Sequence, residues 1–163
     1  MWPEVLEFLL KNLDSEIGAK TALETVNFII EDSATHLEEK CYAFLTQLLN
    51  KLIYFLNKYR DEKTVDKELL NLVLMSLHVL LENCPNLINE DTESVIEALI
   101  NLKESQELNT RYHVGRCWLS IFKIKKEVLS LLLEPLFNFF IGNFSVENYQ
   151  MNLTSAEFFS FIV

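Results

Sequence analysis

"LNTRYHVGRCWLSIFKI", residues 108–124, decides how the chain is read. It places Arg111, His113, Arg116 and Cys117 within seven positions, the residue types of a thiol nucleophile and its base. On a helix, however, Val114, Cys117, Trp118, Ile121 and Phe122 fall at i, i+3, i+4, i+7 and i+8, one continuous apolar face. Cys117 therefore belongs to the core side, where a free cysteine acts as a small hydrophobe. His113, Arg116, Ser120 and Lys123 are assigned to the opposite, solvated side. No acid is placed to orient the histidine, so a Cys/His catalytic pair is not read here. Arg111 stands in the first turn, in line with Val114 and Trp118. Its stem can pack there while its guanidinium reaches a carboxylate or carbonyl of the preceding turn, a structural role. Gly115 costs about 1 kcal/mol in a helix interior, so close approach of a neighbouring helix is expected at that point. The segment reads as one structural helix of an all-α protein.

The rest of the chain agrees. Half of its 163 residues are hydrophobic, and Gly and Pro number three each. That leaves little material for hairpins or a phosphate-cradling loop, and favours long helices with short connections. Fourteen basic residues against 24 acidic ones give a formal charge of −10. This opposes nucleic-acid binding and attraction to an anionic membrane, and favours basic partners. Cys41, Cys84 and Cys117 are widely spaced and odd in number, and His36, His78 and His113 are scattered, so neither a disulfide framework nor a zinc pattern emerges. The N-terminus lacks a basic n-region. The greasiest stretch, "VLSLLLEPLFNFFI", is interrupted by Glu134 and Pro135 before it reaches the roughly 20 residues of a membrane span. An intracellular protein in a reducing compartment is expected. Phosphate-loop and HExxH motifs are missing, so an enzyme, a cofactor and a metal are not expected.

Apolar residues followed by polar turns recur at Leu13, Leu56, Leu102 and Phe144, at intervals of 43, 46 and 42. Such a period falls in the roughly 40–47 residue window of HEAT and armadillo repeats. The expected architecture is a single HEAT-repeat α-solenoid, a right-handed superhelix of antiparallel helix pairs, over residues 1–163. Its repeats are placed at about 3–31, 36–83, 91–124 and 135–163, the last incomplete. The helices within them are placed at about 3–13 and 16–31, 36–58 and 65–83, 91–103 and 109–124, and 135–144 and 148–163. Val5, Leu6, Leu9, Leu10 and Leu13 form the apolar stripe of the first helix, and Ala22, Leu23, Val26 and Ile30 that of its partner. Pro3 and Pro135 are both placed near helix starts, where a missing N–H costs little. Solenoid ends need polar caps, and "AEFFSFIV" supplies none, so a segment of a longer solenoid is expected.

"WPEVLEFLLKNLDS", "IIEDSATHL", "NTRYHVGRCWLSIF" and "LTSAEFFSFI" resemble, in collinear order, consecutive HEAT repeats of the importin-β (karyopherin-β) family, most of all its transportin members. The resemblance runs over nearly the whole chain and points to the N-terminal half of that superhelix. It implies a nuclear import receptor shuttling between cytoplasm and nucleus. It also implies three partners: the GTP form of the GTPase Ran, cargo proteins with basic nuclear localisation signals, and FG-repeat nucleoporins. The family's frequent Asp/Arg pair at the turn is matched clearly only by Arg111.

In such a solenoid the second helix of each repeat lines the concave surface. The candidate partner-binding stripe is then Glu24, Asn27, Glu31 and Asp32, with Lys20, in the first repeat. Asn71, His78 and Glu82 continue it in the second, and Arg116 and Lys123, with Ser120, turn it basic in the third. Glu31 and Asp32, at the end of an inner helix, suit a basic patch on Ran. An ordinary solvated face with i, i+4 Lys–Glu support gives the same pattern. The alternative class is a HEAT scaffold of phosphatase, condensin or coat-adaptor type, with no dependence on Ran. Tyr42, Phe44, Phe55 and Tyr59 read either as grooves for FG peptides or as core.

Overall fold

The computed structural model describes residues 2–15, 17–61, 66–102, 105, 107–144 and 147–162. These form eight α-helices and one 3-10 turn, with no strand among the described residues. The helices are α1 (Trp2–Asn12), α2 (Gly18–Lys40), α3 (Tyr42–Asp61), α4 (Lys67–Asn83), α5 (Ile88–Ile100), α6 (Leu108–Ile124), α7 (Lys126–Gly142) and α8 (Tyr149–Ile162). The helix boundaries expected at 16, 65, 103 and 163 lie outside the described residues.

Two compact units divide between residues 101 and 102. In the first, α1 packs on α2 and α3, α2 on α3 and α4, and α3 on α4 and α5. In the second, α6 packs on both α7 and α8, and α7 on α8. Packing of a helix on the next and the next but one is the stacking habit of a helical solenoid. The cores are aliphatic in the first unit and aromatic in the second. Leu23, Ile30, Leu45, Leu48, Leu49 and Leu77 are fully buried in the first, and Trp118, Phe122, Phe140 and Phe158 in the second.

A chain with three glycines must end its helices without the left-handed glycine cap, and no described residue has positive φ. Four helices use an asparagine instead. Asn12 donates to the Phe8 carbonyl at 2.8 Å, Asn83 to Val79 at 2.8 Å, Asn101 to Glu97 at 2.9 Å and Asn143 to Phe139 at 2.7 Å. Each side-chain amide adds a donor at a C-terminal turn, where main-chain acceptors outnumber donors. Three of these residues directly precede Leu13, Leu102 and Phe144, the anchors of the period. The repeat signal is thus partly a signal of helix termination. At the other pole, Asp66 caps α4, its Oδ1 accepting from the backbone N–H of Glu68 at 3.1 Å and Leu69 at 3.2 Å.

Three expectations need correction. The break expected between residues 31 and 36 falls at Ser33 (φ −133°, ψ 22°), where two helical stretches meet across a kink, but the helix expected to run from 36 to 58 does not begin there, since the second stretch ends at Lys40. Leu37, one heptad beyond Ile30, is buried in that second stretch, and the next helix opens at Tyr42. Pro135 lies inside α7 rather than at a helix start. It withholds one N–H from the ladder, but the preceding turn is exposed (Leu131 81 %), so water can serve the carbonyl left over. Val5 lies outside the apolar stripe of α1, at 43 % exposure, while Leu6, Leu9, Leu10 and Leu13 are buried.

Candidate functional site

The expected stripe begins on α2, and α4 decides which of its residues stay free. Lys20 is drawn across to α4, pairing with Glu68 and with Asp66 at 3.1 Å. Its ammonium is stabilised above the usual lysine range by Glu68 first and then Asp66. The Asp66 carboxyl is held below its usual range by the Leu69 N–H and then by Lys20. Glu24, Glu31 and Asp32 remain exposed. Ser33 Oγ donates to Asp32 Oδ2 at 3.2 Å, and among the described residues no cation pairs with any of the three. Asn27 departs from its expected role: it is 4 % exposed, enclosed with the core positions of α2.

On α4, Asn71 and His78 are half-buried, and His78 Nε2 lies 3.1 Å from Glu82 Oε2. This i, i+4 pair ties the imidazole to its own helix.

On α6 the solvated side proves to be an interface. Glu157 of α8 receives Arg116 Nη1 at 3.1 Å on one carboxylate oxygen and Lys123 Nζ at 2.9 Å on the other. A single carboxylate thus offsets much of the basic character expected for this stripe. Ser120 is buried, its hydroxyl donating to the Arg116 carbonyl at 3.2 Å. Nothing in "NTRYHVGRCWLSIF" foretells this, because the covering carboxylate lies 34 residues beyond Lys123 in "LTSAEFFSFI".

The opening segment behaves as a packing helix. Cys117 is fully buried. The His113 ring lies 5.1 Å from that of Tyr112, and Arg111 Nη1 donates to the Ser105 carbonyl at 3.0 Å, the turn contact expected of it. A Cβ on Gly115 would meet Thr154 Cγ2 at 3.2 Å and Phe140 Cε1 at 3.3 Å, so α7 and α8 both approach as the glycine implied. Burial and the nearby Glu38 push the Cys84 thiol up to about 12, which keeps it protonated and unreactive. Among the described residues no cluster of three His, Cys, Asp or Glu side chains is arranged to hold a metal ion. No described helix is long and apolar enough to cross a membrane.

The arrangement suits surface recognition. Among the described residues, the carboxylate row of Glu24, Glu31 and Asp32 has no paired cation, whereas His78, Arg116 and Lys123 are engaged within their own units. No protein-family model and no curated protein matches the sequence.

Proposed function

We propose that the chain is a segment of a nuclear transport receptor of the importin-β kind, a protein-binding HEAT solenoid. Its partners are the GTP form of Ran, cargo bearing basic nuclear localisation signals, and FG nucleoporins. The likeness of "IIEDSATHL" and its companion segments to that family motivates the reading, and next-but-one helix stacking within each unit supports it. The observation that carries it is the exposed Glu31–Asp32 pair beside the Ser33 kink, two carboxylates without a paired cation among the described residues. Such a pair complements a basic patch on a partner, and at a rim it acts on encounter rate and salt dependence. An all-α stack also supports the second reading, a HEAT scaffold of phosphatase, condensin or coat-adaptor type.

The test is binding of the chain to Ran loaded with GTP and then with GDP, at low and moderate salt. Preference for the GTP form is expected, weakening as salt screens the contact. Glu31→Lys/Asp32→Lys should weaken it about tenfold, on the order of 0.7 kcal/mol per reversed rim charge. A GTP preference indifferent to the reversal keeps the family and discards this site. Absence of binding in both nucleotide states favours the scaffold.

A further inference from the structure

We infer that the groove between α1 and α3 is a docking site for an acidic peptide segment carrying one large apolar side chain. This inference does not depend on the proposed function. The groove encloses about 460 Å³, within the roughly 300–1,000 Å³ of ordinary ligand clefts. Its floor is apolar: Leu6, Leu10 and Phe44 are each buried to more than nine-tenths. That surface accepts a leucine- or phenylalanine-sized anchor.

The rim selects the charge of the occupant. In a chain of net charge −10, this groove is lined by three lysines against two carboxylates, Glu7 and Asp14. Asp14 Oδ1 is occupied by Lys51 Nζ at 2.5 Å. Lys11 and Lys40 are exposed, and among the described residues neither has an ion-pair partner. Ala43 and Phe44 of the first turn of α3 line the groove, where the Phe44 N–H donates to the Cys41 carbonyl at 2.9 Å. With Asp14 and Lys51 paired, Lys11 and Lys40 outweigh Glu7 at the rim, and this positive excess around an apolar floor favours carboxylates flanking an apolar anchor over an uncharged aromatic segment. Cys41, half-buried on the rim between Lys40 and α3, reports occupancy, since Cys84 and Cys117 are 1 % and 0 % exposed.

The experiment titrates the chain into a short fluorescein-labelled peptide of Asp and Glu residues flanking one Phe-Leu pair, read by anisotropy. Saturable binding is expected. It should weaken about tenfold when the acids become Asn and Gln, and about tenfold when Phe-Leu becomes Ala-Ala. Lys11→Glu/Lys40→Glu should reduce affinity at least tenfold with an unchanged far-UV circular dichroism spectrum, both side chains being exposed. Bound peptide should also slow iodoacetamide labelling of Cys41. Equal binding of the Asn/Gln peptide would overturn the inference in favour of a groove for uncharged segments. Full affinity in the double variant, an unprotected Cys41, or no saturable binding would each overturn it outright.

Discussion

Phe158→Ala is expected to destabilise the α6–α8 unit by about 3–5 kcal/mol, the range for removing a fully buried aromatic side chain. Phe158 has no exposed surface, and its ring stacks on Phe140 at 4.1 Å with an interplanar angle of 19°. It also meets Phe122 at 5.7 Å and Phe159 at 5.5 Å. Truncation therefore opens a cavity and ends several ring contacts at once, each pair worth about 0.5–1.5 kcal/mol beyond area burial. These four aromatic residues all belong to the second unit. The check is urea denaturation followed by Trp118 fluorescence in a Trp2→Phe background. Phe158→Leu, which keeps more of the volume, should cost clearly less. A shift under about 1 kcal/mol for the alanine variant would show that the aromatic cluster is not the core of this unit.

Asn27→Leu is expected to move stability the other way, by about 1–3 kcal/mol. Both amide atoms of Asn27 are buried, and among the described residues neither has a hydrogen-bond partner. A buried polar group left unsatisfied costs about 1–3 kcal/mol, and leucine removes both at similar volume. Leu23, Val26 and Ile30 on the same helix are all 1 % exposed or less, so the replacement enters an apolar surrounding. The urea midpoint of the first unit should rise, and Asn27→Asp should lower it, most steeply at neutral pH where a buried carboxylate would carry charge. Under the proposed function, binding to Ran should not change in the leucine variant, in contrast to Glu31→Lys/Asp32→Lys. A fall in stability for Asn27→Leu would mean that the amide is satisfied in solution. Loss of binding with intact folding would return Asn27 to the recognition surface.

Most of the helical segments were legible because 3.6-residue periodicity survives in a chain with so few breakers. The path of the backbone between elements was less so. The break read in "EDSATHL" is present at Ser33, but the short helical stretch that follows it to Lys40 was not legible as separate from the helix opening at Tyr42. Pro135 looked like a start and is interior, because an exposed turn tolerates the hydrogen bond it removes. Three of the four asparagines at helix C-termini stood beside the repeat anchors, although only their geometry reveals what they do.

The sequence by itself determined the all-α class, the packing roles of Cys117 and Gly115, the turn contact of Arg111 and the exposure of Glu24, Glu31 and Asp32. Those properties depend on residue type and helical phase, which are local. Only the tertiary structure decided that Asn27 and Ser120 are buried, that Lys20 crosses to α4, and that Glu157 takes both Arg116 and Lys123. Helical phase says which residues share a face; how much of that face a neighbour covers depends on which helices stack. In this chain the covering helix lies tens of residues away, beyond the reach of any local pattern.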